Sequence, residues 1–263
     1  MIGIGTVQDS VHTALERNGY AIIPSFISPK QITQLQDFFS ETVNQSDVDV
    51  AFFTTHWSAN KSYRQQVNDF VSGKLKPALD GHFVGYKCLF GYFLYKKPSA
   101  DGGVYMHKDW TLIDEEEFVG YTLWIPLIDT TNENGCFQVV PGSHLNAEPR
   151  GSNIPQEYAG ITEEDFTPIP ARAGDAIIFD HRLLHASAPN RSGADRLSVG
   201  LIIVPEKASV IHYWHTPESG ETKVFEVGDD FLVKSFYDYK KHEPSDYILN
   251  MINNSEYYIK EKV

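Results

Sequence analysis

Cysteine is scarce in this sequence, which carries two, Cys88 and Cys136, among 263 residues. Neither has a second cysteine at metal-ligand spacing, which argues against a disulfide framework and against a cysteine-based zinc site. Each lies in an apolar run, so we expect two reduced, buried thiols.

Long apolar runs and basic clusters are also missing. No stretch approaches the ~18 apolar residues that a membrane helix requires, and the N-terminus lacks the features of a signal peptide. Acidic residues outnumber basic ones by 35 to 22, and the formal net charge of -13 repels nucleic acid and anionic membranes. We therefore expect a cytoplasmic protein, a monomer or a homodimer, that binds neither and acts on a small molecule.

The periodicity of the apolar residues changes near residue 83. Before this point, residues 7–18, a segment beginning at Ser28-Pro29, and residues 61–76 have helical spacing, and residues 20–23 form a short strand. After it, short β-branched and aromatic runs alternate with turns, which predicts a β sandwich or barrel. These runs are residues 83–96, 104–110, 119–128, 136–140, 167–171, 175–180, 185–188 and 197–204.

The pattern predicts one mainly β domain with flanking helices, spanning residues 1–263. Its expected parts are a helical N-terminal support (about 1–80), a β core (about 83–204) and a covering C-terminal segment (about 205–263). In that last segment we expect a strand at 224–227 and a helix at 244–260. The polar loop 144–167 is long for a compact domain, and loops of this kind are often lids or binding segments.

The sharpest local feature is His107-Lys108-Asp109. In a strand, side chains at i and i+2 point to the same face, so His107 and Asp109 are expected to project together while Lys108 points away. They supply two ligands of the facial triad of two histidines and one carboxylate that suits oxygen-activating iron(II). In a chain with 10 histidines such a pair also arises by chance, so it needs support from elsewhere in the sequence.

That support comes from the segment after residue 174. A buried strand at 175–180 is followed by His181 and His185, and either can provide the third ligand. A polar loop then leads to Arg196 on the next strand. A guanidinium matches a carboxylate in a bidentate pair, so Arg196 can anchor an acidic cosubstrate, with Ser198 on the same face as a second donor.

The chain resembles the phytanoyl-CoA dioxygenase family of iron(II)- and 2-oxoglutarate-dependent oxygenases. Four stretches match in the family's order, between about residues 12 and 204: an N-terminal opening at 15–24 with 28–29, the metal motif at 107–110, an Asn-Gly to Pro-Gly-Ser-His stretch at 134–144, and a C-terminal half-site at 174–196. The resemblance implies a double-stranded β-helix (jelly-roll, cupin-like) core.

The resemblance also implies the roles of the site residues. It gives His107, Asp109 and His185 as the metal ligands, because the family's 2-oxoglutarate arginine lies eleven residues after the distal histidine, as Arg196 does after His185 but not after His181. Besides Arg196 and Ser198, it suggests that Trp124 and Ser187 contact the cosubstrate.

The activity implied is hydroxylation of an unactivated C–H bond by iron(II), 2-oxoglutarate and dioxygen, with succinate as coproduct. Asp109 argues against halogenation, because related halogenases replace this carboxylate by a small residue. Desaturation, cyclisation and epimerisation stay open, as do a non-catalytic jelly-roll binding protein and a cupin-type isomerase. Aromatic residues near the expected mouth favour an apolar or ring-containing substrate. The candidate contacts are Trp57, Trp110, His212 and Trp214.

Overall fold

A computed structural model describes residues 9–145, 148–151, 156, 158–216, 221–235 and 248–252. The helices within these residues are α1 (Asp9–Asn18), α2 (Pro29–Thr42), α3 (Lys61–His82) and α4 (Phe231–Ser235). The strands are β1 (Tyr20–Ile23), β2 (Phe52–Thr54), β3 (Tyr86–Lys96), β4 (Val104–His107), β5 (Tyr121–Pro126), β6 (Phe137–Val139), β7 (Thr167–Ile169), β8 (Ala176–Asp180), β9 (His185–Ser187), β10 (Arg196–Pro205), β11 (Ile211–Thr216), β12 (Glu221–Val227) and β13 (Ile248–Ile252).

Local sequence signals explain where the long helices begin. At the start of α2, the Ser28 hydroxyl accepts from the Gln31 amide and the Gln31 side chain accepts from the Ser28 amide, which forms a capping box. The helix α3 runs beyond the predicted end at residue 76 and through Pro77. Pro77 removes one backbone hydrogen bond of this helix, and the leucines on either side of it, Leu75 and Leu79, are both buried in the core. No helix among the described residues is long and apolar enough to cross a membrane.

Two antiparallel sheets form the body of the molecule. The larger one has six strands in the order β1-β8-β5-β10-β3-β2, and the smaller has four in the order β4-β9-β6-β7. Consecutive strands of the chain repeatedly fall in different sheets, as in a double-stranded β-helix. Together with the structures to which the chain is similar, reported below, this topology confirms the predicted fold class.

Side-chain alternation assigns each face of the larger sheet to a different layer. On β5, Leu123 and Ile125 pack toward α2 and α3, while Trp124 points into the space between the sheets and stacks on Phe137 of the smaller sheet. On β8, Ile178 belongs to the helical side and the residues flanking it to the inter-sheet side. This period of two is what a sheet covered on both faces requires. The space between the sheets contains the predicted site.

The C-terminal region differs from the sequence prediction. The strand predicted at 224–227 is part of the longer β12, which pairs with β11 and β13 in a three-stranded sheet. Residues 248–252, expected within a helix at 244–260, form β13, so that prediction is wrong for these residues, and its remainder lies outside the described residues. The sequence at 248–252 is a short apolar run, and such runs do not distinguish strand from helix by periodicity.

Candidate active site

Three predicted ligands lie together between the sheets. His107 ends β4 and His185 begins β9, and the two are paired directly across the strands. The Asp109 Oδ1 atom lies 4.0 Å from His107 Nε2 and 3.8 Å from His185 Nε2, and the three candidate ligand atoms all lie within 4.8 Å of one another. These distances are too long for hydrogen bonds. They leave a gap that three ligands can close around one metal ion.

Backbone carbonyls determine which nitrogen each histidine turns toward that gap. The Nδ1 atom of His107 lies 2.8 Å from the carbonyl oxygen of Tyr105, and Nδ1 of His185 lies 3.0 Å from that of Leu183. A carbonyl only accepts, so each Nδ1 carries the proton and each Nε2 keeps its lone pair. Fixing the tautomer through the far nitrogen is the usual support of a metal-binding histidine.

The protonation states also fit a metal. Burial alone would raise the pKa of Asp109, but His185, His181, His107 and the Thr122 hydroxyl together hold it below its ordinary value. The Thr122 Oγ1 donates to Asp109 Oδ2 at 2.7 Å and leaves Oδ1 facing the histidines. Burial and the nearby His107 lower the pKa of His185 to about 4. At neutral pH the site therefore offers an ionised carboxylate and a neutral His185, the forms that bind metal.

Asp109 reaches this position differently from the sequence prediction. The strand β4 ends at His107, so Asp109 projects from the following loop and not from a strand. The side chain of Gln156 replaces a strand partner: its Oε1 accepts from the Lys108 amide at 3.0 Å and its Nε2 donates to the Lys108 carbonyl at 3.1 Å. The Arg150 Nε donates to the Asp109 carbonyl at 2.6 Å. Two residues of the 144–167 loop thus hold the segment that carries the candidate ligand Asp109.

A buried arginine without a carboxylate partner lies in the same cavity. Arg196 is 1 % exposed, and its Nη1 donates to the carbonyl oxygen of Gly135. Its Nε has no hydrogen-bond partner, and within the described chain no acidic side chain forms an ion pair with it. Burial lowers the pKa of Arg196 to about 10, so it is still charged at neutral pH. An unpaired donor on a buried cation fits the carboxylate of a bound anion.

Comparison with known proteins gives this site its context. The family model for phytanoyl-CoA dioxygenase matches residues 15–198, well over half of the chain. The chain belongs to the phytanoyl-CoA dioxygenase family. It is therefore an iron- and 2-oxoglutarate-dependent dioxygenase, and the predicted family, fold class and cofactors are confirmed.

Individual relatives of this dioxygenase are distant. It is 24% identical to phytanoyl-CoA dioxygenase 1 of Oryza sativa subsp. japonica over 257 residues, covering 76% of this chain and 90% of the rice protein. Among solved structures it resembles the epimerase SnoN, determined with Fe3+, alpha ketoglutarate and nogalamycin RO (18% identity, 77% and 85% coverage, TM-score 0.58). It also resembles HygX from Streptomyces hygroscopicus, determined with nickel, 2-oxoglutarate and hygromycin B (16% identity, 76% and 88% coverage, TM-score 0.53). At these identities the similarity shows a common fold.

Of the other residues of this dioxygenase that were predicted to contact the cosubstrate, two line the cavity and one does not. Trp124 and Ser187 line the cavity that contains the triad, and the Trp124 ring lies 5.3 Å from the guanidinium of Arg196. Ser198 is completely buried on β10, where its hydroxyl donates to the carbonyl of Leu94 at 3.4 Å. It is not among the described residues that line the cavity.

Of the four residues predicted to contact substrate, two line the cavity and two are absent from its described lining. Trp57 and Trp110 line the cavity. His212 and Trp214 are absent from its described lining, which places them away from the expected contact. His212 is completely buried, with its ring 5.7 Å from that of Trp110 and 4.8 Å from that of Phe231. Residue 212 of β11 thus lies in the core, among the apolar side chains that include Phe225 and Phe231, and its ring packs against Trp110.

Sequence reasoning missed several lining residues. His56 and Tyr92 face the cavity from the 3-10 helix Thr55–Trp57 and from β3, with ring centroids 4.9 Å apart. Their only sequence signal is an aromatic residue in an apolar run. His181, expected to be structural or close to the ligands, is buried and lines the cavity. The contact of Gln156 with Lys108 joins residues 48 apart and leaves no local signal.

Proposed function

We propose that this dioxygenase hydroxylates an unactivated C–H bond of a small organic molecule. In this proposal iron(II) is held by His107, Asp109 and His185, and 2-oxoglutarate by Arg196. The observation that carries it is the buried guanidinium of Arg196, which lacks a carboxylate partner among the described residues and lies in one cavity with the triad. When bound, iron(II) would activate dioxygen, which is the oxidant, and 2-oxoglutarate would supply two electrons as it is decarboxylated to succinate and carbon dioxide.

The side chains of the chain itself bind and orient. The two Nδ1–H groups keep His107 and His185 in the tautomer that presents Nε2, and Thr122 keeps Asp109 turned by one oxygen toward them. Arg196 neutralises the far carboxylate of the cosubstrate. A cavity of about 360 Å³, lined mainly by apolar and aromatic side chains, excludes water around the reacting bond. That volume lies in the range of small-molecule sites, about 300–1,000 Å³.

Hydroxylation is proposed over halogenation because Asp109 keeps the third protein ligand in place. The similar solved structures include an epimerase and a carbocyclase, so the same fold is compatible with other outcomes. Desaturation, cyclisation and epimerisation are therefore the alternatives that product analysis must separate from hydroxylation.

Succinate release from protein reconstituted anaerobically with iron(II) tests the activity. We expect a substrate of the right class to stimulate succinate formation, and the mass of the product to increase by one oxygen atom. The His107→Ala variant should lose the stimulated activity. The Arg196→Met variant should bind 2-oxoglutarate about 100-fold more weakly, because a charge-assisted bidentate contact is lost.

Other results would point elsewhere. Product of unchanged mass would indicate epimerisation, and loss of two hydrogen atoms would indicate desaturation or cyclisation. Full activity in Arg196→Met would favour a cupin-type isomerase that needs no 2-oxoglutarate. Failure of the reconstituted protein to bind iron and 2-oxoglutarate would favour a non-catalytic binding protein and refute the proposal.

A further inference from the structure

An aromatic wall forms one side of the cavity. The Phe52 and Trp57 rings meet edge to face at 5.4 Å, and His56 lies edge to face with Tyr92 at 4.9 Å. The Tyr92 ring stacks on Phe90 at 5.4 Å with an interplanar angle of 20°. The His56 and Trp57 rings, 5.8 Å apart, join these pairs into one connected set, although Trp57 is 47% exposed. Most of the wall is therefore in place before any substrate arrives. A preformed aromatic wall binds flat, ring-containing molecules at low entropic cost.

Each acidic or basic side chain described in the cavity lining already has a proposed role or a hydrogen-bond partner. Among the described lining residues, the one acidic side chain is Asp109, a proposed metal ligand. The cations are Arg196, assigned to the cosubstrate, and Lys108, whose Nζ donates to the carbonyl of Ser143 at 3.0 Å. Among the described lining residues a cationic substrate would thus find no carboxylate besides Asp109, and an anionic one would compete with 2-oxoglutarate for Arg196. Burying an unpaired charge is unfavourable.

We infer that the substrate is an uncharged, ring-containing molecule held against the wall formed by Phe52, His56, Trp57, Phe90 and Tyr92. This inference rests on the proposed function, since it assigns Arg196 and Asp109 to cosubstrate and metal. It excludes coenzyme A esters, amino acids and polycationic sugars as the substrate class. The net charge of -13 acts in the same direction against anions.

Three probes with one ring system and different charges test the inference. Naphthol is neutral, naphthoate is anionic and naphthylmethylamine is cationic at neutral pH. Isothermal titration calorimetry under nitrogen, with protein already saturated with iron(II) and 2-oxoglutarate, gives the three dissociation constants. We expect naphthol to bind about tenfold more tightly than either charged probe, because neither charge gains a partner.

Two variants locate the binding. Trp57→Ala should weaken naphthol binding about threefold to tenfold, because one aromatic contact is lost. Val84→Ala is the control: Val84 is 58% exposed between α3 and β3 and is absent from the described lining. Equal or tighter binding of a charged probe, no measurable naphthol binding, or an unaffected Trp57→Ala variant would overturn the inference. Failure to saturate with 2-oxoglutarate would instead contradict the proposed function.

A second, independent observation concerns a buried lysine beside the cosubstrate pocket. Lys96 is fully buried and is the cross-strand partner of Arg196. Its Nζ donates to three oxygens around β9: Ser187 Oγ at 2.8 Å, the Ser187 carbonyl at 3.2 Å and the Ala188 carbonyl at 2.6 Å. Within the described chain, no acidic side chain forms an ion pair with Lys96. Two buried basic side chains thus lie side by side.

The contact with the Ser187 hydroxyl has a chemical consequence. An oxygen that accepts from an ammonium keeps its own O–H free to donate elsewhere. Ser187 lines the cavity beside Arg196, so that proton is available to an anion there. Burial and the adjacent guanidinium lower the pKa of Lys96 to about 6, so its amine is mostly uncharged at neutral pH while the pocket is empty. The negative charge of bound 2-oxoglutarate would raise this pKa and favour the ammonium, which then donates to Ser187.

We propose that Lys96 is a positioning residue that makes Ser187 a hydrogen-bond donor to 2-oxoglutarate. The proposal rests on the assignment of Arg196 to that cosubstrate. Expected for Lys96→Met is a KM for 2-oxoglutarate about tenfold higher, with kcat at saturation nearly unchanged. Lys97→Met is the matched control, because Lys97 is more exposed and pairs with Asp49 at the surface.

A double-mutant cycle with Ser187→Ala separates this role from a general structural one. If Lys96 acts through Ser187, the double variant should raise KM about as much as either single variant. Additive effects, or an unchanged KM in folded Lys96→Met, would overturn the proposal. If Lys96→Met does not fold, Ser187→Ala alone decides, and an unchanged KM there refutes the proposal. If the unmodified protein showed no iron-dependent turnover, the result would contradict the proposed function and not this proposal.

Discussion

The hydrogen bond from Thr122 to Asp109 gives the most direct test of how the metal site is built. Thr122 is 2% exposed on β5, and its Oγ1 lies 2.7 Å from Asp109 Oδ2. Valine has the same shape as threonine without the hydroxyl, so Thr122→Val removes this donor and little else. The Asp109 carboxylate then loses the contact that keeps Oδ1 turned toward His107 and His185.

The size of the effect follows from the charge on the acceptor. A hydrogen bond to a charged group contributes about 1.5–3 kcal/mol, against about 1 kcal/mol between neutral groups. Every ~1.4 kcal/mol changes a dissociation constant tenfold. We therefore expect Thr122→Val to weaken iron(II) binding about 10- to 100-fold, the range found for partners that orient metal ligands.

Anaerobic competition with a chromophoric chelator measures the iron(II) affinity directly. Thr122→Ser keeps the hydroxyl and is expected to bind iron almost as the unmodified protein does. Far-ultraviolet circular dichroism before metal addition establishes that both variants are folded. An iron(II) dissociation constant for Thr122→Val within about twofold of the parent would refute the reasoning, because the hydroxyl would then have no part in orienting Asp109.

Two further predictions concern stability. Burial lowers the pKa of His212 to about 4, against roughly 6.5 when unfolded, so the unfolded state binds more protons between these values and stability falls as the pH drops through this window. The His212→Asn variant should lose roughly 3 kcal/mol less unfolding free energy over this pH window than the unmodified protein. Urea unfolding of the metal-free protein at both ends of the window measures the difference, and an unchanged pH dependence would contradict the prediction. Arg150 contacts both carboxylate oxygens of Glu115 in a nearly buried pair, so Arg150→Met should destabilise by about 3 kcal/mol and adding Glu115→Gln should recover part of it. If the losses of stability from the two substitutions add up in the double variant, the ion pair between Arg150 and Glu115 is not the cause of the destabilisation.

The sequence was sufficient to predict the elements whose signals are local. The capping box of α2, the alternation along β5 and β8, and the β-rich centre all follow from residues close together in the chain. The choice of His185 over His181 came from the family resemblance, which implies an arginine eleven residues after the distal histidine. These features depend on periodicity and spacing, which survive without knowledge of the tertiary structure.

What the sequence could not predict depends on contacts between distant residues. The buried Lys96 is followed by a second lysine in a strand-end pattern, and only the fold shows that one is buried and the other largely solvated. His212 was predicted to contact substrate because it lies in an aromatic segment, yet β11 carries it into the core. For β13, the apolar run permits either helix or strand, and pairing with β12 decides the outcome.

The attachment of the 144–167 loop has a consequence for how the site can diverge. Gln156 binds the amide and carbonyl of residue 108, which any amino acid would offer, and Arg150 binds the carbonyl of residue 109. The segment that carries Asp109 is therefore held through backbone atoms, and exchanges of the side chain at residue 108 leave these contacts in place. Exchanges in the loop itself are more restricted, because a Cβ atom at Gly151 would lie too close to the carbonyl oxygen of Tyr213. Divergence of specificity is therefore expected in side chains that face the cavity, and not at the residues that hold the backbone of this segment.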